Sequence, residues 1–501
     1  MSIDLGHQRP SLRLATPRRL PVRPRRLIDF GAVADPPAEP VDQTEQADAA
    51  ATTRLLGPGW PLKILLCGFP LWWVLGLNTL IFPLMAVPMA VQLRRWSRER
   101  AVRWPSASWL WVLFLVWQVL GLALLNESPP GTHPGSTSGR LISTIFTLIE
   151  YAGVTVTLGY VANLPREQVP FRAVARWLGG FFLTVVAGGF LGLAAPHLSF
   201  SSAVELVLPH GLTANQFVSA LVHPVTAQVQ DVIGNDNGRP AAPFGYTNFW
   251  ANALSILVVW FIAAWLMPAR GRQRTVYVAV LVVTVVPVVL SLNRGLWIGI
   301  AFTVFWLLVR MMFQGHLARV LAVFGAAAAA TVAVILSPLG SVINARLSNG
   351  VSNDIRAFVD NLSIVAIHYS PVLGYGGNRH AIGSASSITI GPSPSCPNCG
   401  DVATGSTGQL WATLFNQGIV GTLFYFGFFA VSLWLYRRHR GALAEAALVS
   451  VALTFVYMLF YSAVPIAPTL SVIAIALLWR EEQARRAAAL AALTARRVVP
   501  A

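Results

Sequence analysis

The chain has 501 residues, of which 55% are hydrophobic and only 11% charged, and its formal net charge is +16. A soluble globular domain carries about 25% charged residues, so the composition excludes a soluble enzyme and points to an integral membrane protein. The positive charge does not indicate a nucleic-acid partner. It is arginine except for Lys63, and it sits in short segments between apolar runs, where it sets topology and meets anionic lipid headgroups.

Residues 1–60 are polar, rich in proline and arginine (Arg13, Arg18, Arg19, Arg23, Arg25, Arg26), with no apolar run near the start. They read as a disordered cytoplasmic tail rather than a signal peptide. A tail that touches anionic lipid and a plainly solvated one fit equally well. Residues 61–480 read as a polytopic membrane domain and 481–501 as a cytoplasmic C-terminal tail.

A spanning helix needs roughly 17–25 apolar residues. On that basis twelve spans are predicted, near 62–77, 78–93, 104–124, 141–163, 175–195, 246–266, 275–292, 295–314, 318–338, 409–436, 443–462 and 464–479. The first two also read as one long helix broken around Asn78. The fold class is therefore all-α, with about twelve transmembrane helices. With the N-terminus inside, 30 basic residues fall on the cytoplasmic side. Outside lie six: Arg140, Arg239, Arg294, Arg346, Arg356 and Arg379. That asymmetry has the expected sign and puts both termini in the cytoplasm. Two long external loops result, about 196–245 and 339–408. Structureless loops of that length are usually functional or disordered, and short helices lying over the membrane surface are expected in both. No internal repeat of similar spans is visible.

Three features within this layout carry chemistry. Arg294 sits at the outer end of a tight turn between two spans, and Arg239 just before the 246–266 span. A lone arginine at a membrane end most simply snorkels to the headgroups. Two at one outer face, against the topological bias, suit bidentate binding of a phosphate. Glu150, in "STIFTLIEYAGVTV", is the main mid-membrane carboxylate, open to three readings: a proton path, a contact for a lipid carrier, or a neutral acid bonded to a neighbouring helix. Cys67 lies in an apolar run and reads as packing. Cys396 and Cys399, in "CPNC" on the oxidising side, cannot make a four-ligand zinc site. A disulfide pinning the loop is favoured over free thiols or redox chemistry.

Four motifs then resemble, in order, those of the O-antigen ligase and polymerase superfamily. "SLNRGLWIGI" (291–300) resembles its Ser-x-x-Arg-Gly-x-Trp-x-Gly signature. "RPAAPFGYTNFWAN" (239–252) resembles its second arginine motif, "SPVLGYGG" (370–377) its Pro-x-x-Gly-x-Gly, and "LWATLFNQGIVGTLFYFGFF" (410–429) its Gly-x-x-Gly helix. The match covers about 230–435. The resemblance implies a GT-C-like, metal-independent glycosyltransferase of the bacterial plasma membrane. Such an enzyme moves a glycan from a polyprenyl pyrophosphate to a glycan or lipid acceptor and needs no cofactor. Arg239 and Arg294 match the family's functional arginines. Arg346 and Arg356 are further candidates for the donor, as are Gly374, Gly376 and Asn248 for substrate contact. The family's ligases carry a histidine before the Gly-x-x-Gly helix where this chain has Thr407-Gly408. A replacement base is sought among His380, His368, Asp354, Asp360 and Asp401. A flippase of lipid-linked glycan is the rival reading. A transporter should spread ionisable residues through several spans, whereas the distinctive residues here are external.

Overall fold

The structure is a computed structural model. It describes residues 57–498 except 135–136, 214–215, 232–235, 349–350, 382–402 and 463–464; at 137–139, 216–217, 230–231, 236–237, 351–355 and 495–498 it describes the backbone alone. Cys396, Cys399, Asp401, the side chain of Asp354 and the tail through residue 56 therefore lie outside the described residues.

The chain is mostly helical, as hydrocarbon demands: a backbone without water must satisfy its polar groups within its own segment. Among the described residues, seven helices are long and apolar enough to cross a membrane: Arg140–Ala162, Phe171–Ala194, Thr247–Leu266, Gly271–Leu290, Arg294–Phe313, Leu317–Leu336 and Gln409–Tyr436. Two shorter apolar helices are Ser108–Leu124 and Ala442–Tyr457.

The ends of the predicted membrane region differ from expectation. In place of spans at 62–77 and 78–93, Trp60–Cys67 and Phe69–Val74 are separated by Gly68, and Ile81–Glu99 follows. Pro70, in the first turn of Phe69–Val74, lacks the N–H needed to continue the preceding helix. Buried Asn78 accepts from the Thr79 amide at 3.0 Å in the second break. The last helix runs Ile466–Val498, so residues 481–498 of the C-terminal tail continue the helix of the last predicted span. Their Ala, Glu and Arg content favours helix, and Glu482–Arg486 pair one turn apart at 2.9 Å. Cys67 is exposed rather than packed in the core.

The centre of the bundle is built from Phe171–Ala194, Thr247–Phe261, Ala442–Tyr457 and the 466–479 stretch, which are apolar nearly all round and bury against one another. Trp250 fixes one crossing by donating from Nε1 to the Val185 carbonyl at 2.9 Å. Arg294–Phe313 and Leu317–Leu336 lie at the periphery, with 11% and 0% of their apolar windows buried.

Both long connections carry structure. Between Ala194 and Thr247 come short helices Ala203–Val207, His210–Thr213 and Gln216–Val222, then an antiparallel hairpin of β1 (Ala227–Asp231) and β2 (Asp236–Pro240). The hairpin was not foreseen; it sets Arg239 opposite Gln228. The second connection carries Pro338–Ser348 and Val351–Tyr369. Its 370–377 stretch then wraps a break in the Gln409–Tyr436 helix. Gly418 there is non-helical (φ 65°, ψ −168°), and a Cβ on it would lie 2.6 Å from the Pro371 and Val372 carbonyl oxygens. The freed Ile419 amide donates to Pro371 at 2.8 Å, while Tyr375 and Gly376 donate to Phe415 and Asn416 at 3.0 and 2.7 Å.

Candidate functional site

The site grows from the turn Ser291-Leu292-Asn293 between helices Gly271–Leu290 and Arg294–Phe313. Asn293 caps the second helix, its side-chain oxygen accepting from the Leu296 amide at 3.2 Å. Leu292 has φ 54°, the only positive φ at a non-glycine among the described residues. Such a conformation costs about 1–3 kcal/mol and persists where its surroundings hold it. Two arginines hold this one. Arg239 donates from Nε to the Ser291 carbonyl at 2.8 Å, and Arg346 from Nε to the Leu292 carbonyl at 3.0 Å. They come from opposite sides in sequence, β2 and the Pro338–Ser348 helix, and meet at the carbonyl end of a helix, where cations are favoured.

Arg294 begins the next helix at this turn. Arg356, on Val351–Tyr369, donates from Nη1 to the Thr407 and Phe460 carbonyls at 3.2 and 3.1 Å. The four guanidinium groups act on one another. Arg346 is pushed down to about 10 by burial, then by Arg294, Arg239 and Arg356. Arg239 is lowered by burial, with Tyr246 and Tyr461 opposing and Arg356 adding. The fold thus concentrates positive charge where the chain leaves the apolar bundle. An array of guanidinium groups in partly desolvated surroundings suits a multiply charged phosphate.

A polar relay backs the array. Tyr461 donates from its hydroxyl to the Asn293 side-chain oxygen. Asn293 Nδ2 donates to Asn248 Oδ1 at 2.9 Å, and Asn248 Nδ2 to the Tyr246 hydroxyl at 3.2 Å. Asn248 is therefore beside the Arg294 turn. Sequence reasoning missed Tyr246, Asn293 and Tyr461. A signal for Tyr461 was present: Tyr457 and Tyr461 are spaced by four, as are Gly295 and Gly299. A Cβ on Gly295 would lie 2.3 Å from the Tyr461 hydroxyl oxygen, and on Gly299, 1.7 Å from that of Tyr457. The glycines of "RGLWIG" thus admit two tyrosines under the arginines. We expect Gly299→Ala to destabilise the protein by about 1–3 kcal/mol through overpacking, with Tyr457→Phe restoring only part of it, since the ring carbon that bears the hydroxyl lies 2.3 Å from that Cβ. Thermal melting in detergent checks both; a melting temperature untouched by Gly299→Ala would contradict the packing.

The candidates for a base separate. Asp360 lies one turn after Arg356, and its Oδ1 accepts from the Thr407 hydroxyl. Burial raises its pKa, while the Thr407 hydroxyl and Arg356 pull it down. Thr407 is thus joined to a carboxylate next to Arg356. His380 is exposed; its backbone bridges Ala403 and accepts from the His133 amide at 2.9 Å. His368 is also exposed, with its Nδ1 2.8 Å from the Ile364 carbonyl of its own helix.

The two remaining external arginines hold the loop. Arg379 is 2% exposed and donates to the carbonyls of Leu124, Leu125, Glu127, Tyr375, Gly377 and Asn378. Burial and the nearby Arg140 push it down to about 10. Arg140 donates to the Leu125 and His133 carbonyls and to the Ser128 hydroxyl. Gly374 and Gly376 serve the same closure: their φ values are 67° and 71°, and a Cβ on them would lie 2.5 Å from Asn416 and 2.2 Å from Gly121 backbone atoms. The structure gives both a packing role. Glu150 is 2% exposed inside its helix, and its carboxylate makes no hydrogen bond among the described residues.

Comparison with family models, curated proteins and solved structures returned no match for this chain.

Proposed function

We propose that this chain transfers a glycan from a polyprenyl pyrophosphate to an acceptor hydroxyl at the outer face of a bacterial plasma membrane, in ligation or polymerisation of cell-envelope polysaccharide. The observation that carries the reading is the meeting of Arg239 and Arg346 on the turn from which Arg294 starts its helix, with Arg356 close enough to act on their charge. Sidedness agrees with it. Arg294 and Arg310 stand at opposite ends of one helix, about 24 Å apart at 1.5 Å per residue, and Arg310 meets the arginine-rich 437–440 linker. The excess of basic residues assigns that linker to the cytoplasmic side, so the array at the other end of the helix faces outward.

In the reaction the acceptor oxygen attacks the anomeric carbon as the bond to the pyrophosphate breaks. The bonding pair leaves with the pyrophosphate oxygen, where the arginines hold the growing charge, usually the largest catalytic contribution. The acceptor proton passes to Asp360, a carboxylate on which Arg356 acts. A lipid-linked pyrophosphate is already an activated leaving group, so no cofactor enters.

The test is the purified chain in lipid vesicles with a polyprenyl-pyrophosphate oligosaccharide and a glycan or lipid acceptor, with chelator present. A new glycosidic bond is the expected result. Movement of the lipid-linked glycan across the bilayer with no new bond would establish the flippase instead, and buried Glu150 would then be the residue to follow. Loss of transfer on adding chelator would overturn the metal-independent step.

A further inference from the structure

The end of the bundle opposite the arginine array holds a second feature. A chamber of 550 Å³ lies between helices Thr247–Leu266, Gly271–Leu290, Arg294–Phe313 and Ala442–Tyr457, with walls that include Leu254, Val258, Val285, Ile300, Leu307 and Val449. Along Arg294–Phe313 it extends from Ile300 to Arg310, about 15 Å at 1.5 Å per residue. Walls of this kind leave a polar solute's hydrogen bonds unmade and suit a hydrocarbon chain.

At Arg310 and Gln314 the chamber meets a second cavity of 460 Å³, lined by those two residues with Phe313, Arg437, Arg438 and Arg440. The charges there are not balanced. Arg310 is engaged by Glu445, Nη2 to Oε1 at 2.7 Å and Nε to Oε2 at 3.0 Å, and by the carbonyls of Arg437 and His439. Glu445 is thereby spent. Arg437 lies 3.4 Å from the Trp434 ring centre. Arg438 and Arg440 are exposed and make no hydrogen bond among the described residues. Arg319 and His316 add basic groups at the chamber mouth. No carboxylate lines the second cavity to receive the ammonium of a zwitterionic headgroup.

We propose that this end of the bundle is a binding site for one anionic glycerophospholipid, with its phosphodiester at Arg438 and Arg440 and an acyl chain in the chamber. The occupant follows from the joined chemistry: apolar walls at membrane depth, a basic mouth where the bundle meets the headgroups, and no carboxylate in the lining of the basic cavity. Basic pockets between helix ends select anionic lipids, at about 1 kcal/mol per arginine. The site is independent of the glycosyl-transfer reading.

The test is native mass spectrometry of the full chain extracted from equimolar phosphatidylglycerol and phosphatidylcholine vesicles. One phosphatidylglycerol should be retained at collision energies that strip phosphatidylcholine. Arg438→Ala/Arg440→Ala should lower that preference about thirtyfold, and Arg438→Lys/Arg440→Lys should keep most of it. Val304→Trp, which fills the chamber and leaves the charges, should lose the lipid. Equal retention of the two lipids by the wild type, or an alanine pair that still prefers phosphatidylglycerol, would overturn the proposal. So would preferential retention of added polyprenyl phosphate over phosphatidylglycerol.

Discussion

Arg294→Lys and Arg239→Lys should each lose about a hundredfold or more in glycan transfer while the protein inserts and accumulates normally. If either arginine only snorkelled, lysine would serve as well, because it reaches the headgroups and keeps the charge. The geometry asks for more than charge. Arg239 commits Nε to the Ser291 carbonyl, a bond that uses one edge of a planar group with five donors in a fixed fork. Lysine has one nitrogen and cannot hold the turn and present a planar pair to phosphate together. Arg294 begins a helix at that same turn, so its charge adds to the positive end of the helix dipole. Losing one preorganised contact to the leaving group costs on the order of 3 kcal/mol, about a hundredfold in rate. Arg379→Lys is the contrasting control. Its guanidinium is buried among six carbonyls, so the loss should appear as poor accumulation and a lower melting temperature. Transfer assays normalised to protein amount, with melting curves, separate the two. Full activity in both Arg294→Lys and Arg239→Lys would defeat the catalytic reading of the array.

How much of this was legible follows from the length scale of each interaction. Most helices were, because any apolar run of sufficient length in hydrocarbon must close its own hydrogen bonds. Which helices form the centre was not. Thr247–Leu266 and Leu317–Leu336 have mean hydropathies of 1.9 and 2.2, yet 67% and 0% of them is buried. Lipid and protein interior are equally apolar, so composition cannot tell a neighbour helix from a lipid tail. Arg239 and Arg294 could be picked from the sequence as positions at span ends. Their meeting could not, because the bonds that bring the site together join residues 52, 54 and 104 apart. The hairpin that carries Arg239 had its signal in "GNDNG", a turn cluster between two short runs, which a membrane reading passes over. Gly374 and Gly376 were legible as sites of close backbone approach, but what approaches is the broken 409–436 helix. The sequence does not distinguish the surroundings of two external arginines: Arg346 and Arg379 are both buried, and only the structure shows Arg379 enclosed by six carbonyls and Arg346 bonded to the Leu292 turn.

Asp360→Asn should remove transfer by about 10²–10⁴-fold, the usual worth of a positioned general base, and leave donor binding unchanged. The carboxylate accepts from the Thr407 hydroxyl and lies a turn from Arg356, so it can take the acceptor proton beside the charge that stabilises the leaving pyrophosphate. The pH dependence gives the sharper test. A base works only when deprotonated. Burial raises the Asp360 pKa, with the Thr407 hydroxyl and Arg356 opposing. Transfer should therefore be lost as pH falls through a value above that of an ordinary aspartate and be fully present above it. Thr407→Val removes a donor that favours the ionised form, so its acid limb should move to higher pH while the rate at alkaline pH is retained. A residue that merely supported the loop would lower the rate equally at all pH. Because the folded pKa is raised above the unfolded one, the ionised carboxylate works against the fold once pH exceeds the unfolded value. Asp360→Asn should thus melt no lower than the wild type at neutral pH, and its lost activity is not lost structure. A fully active Asp360→Asn, or a Thr407→Val profile superimposed on the wild type, would return the search for a base to His380.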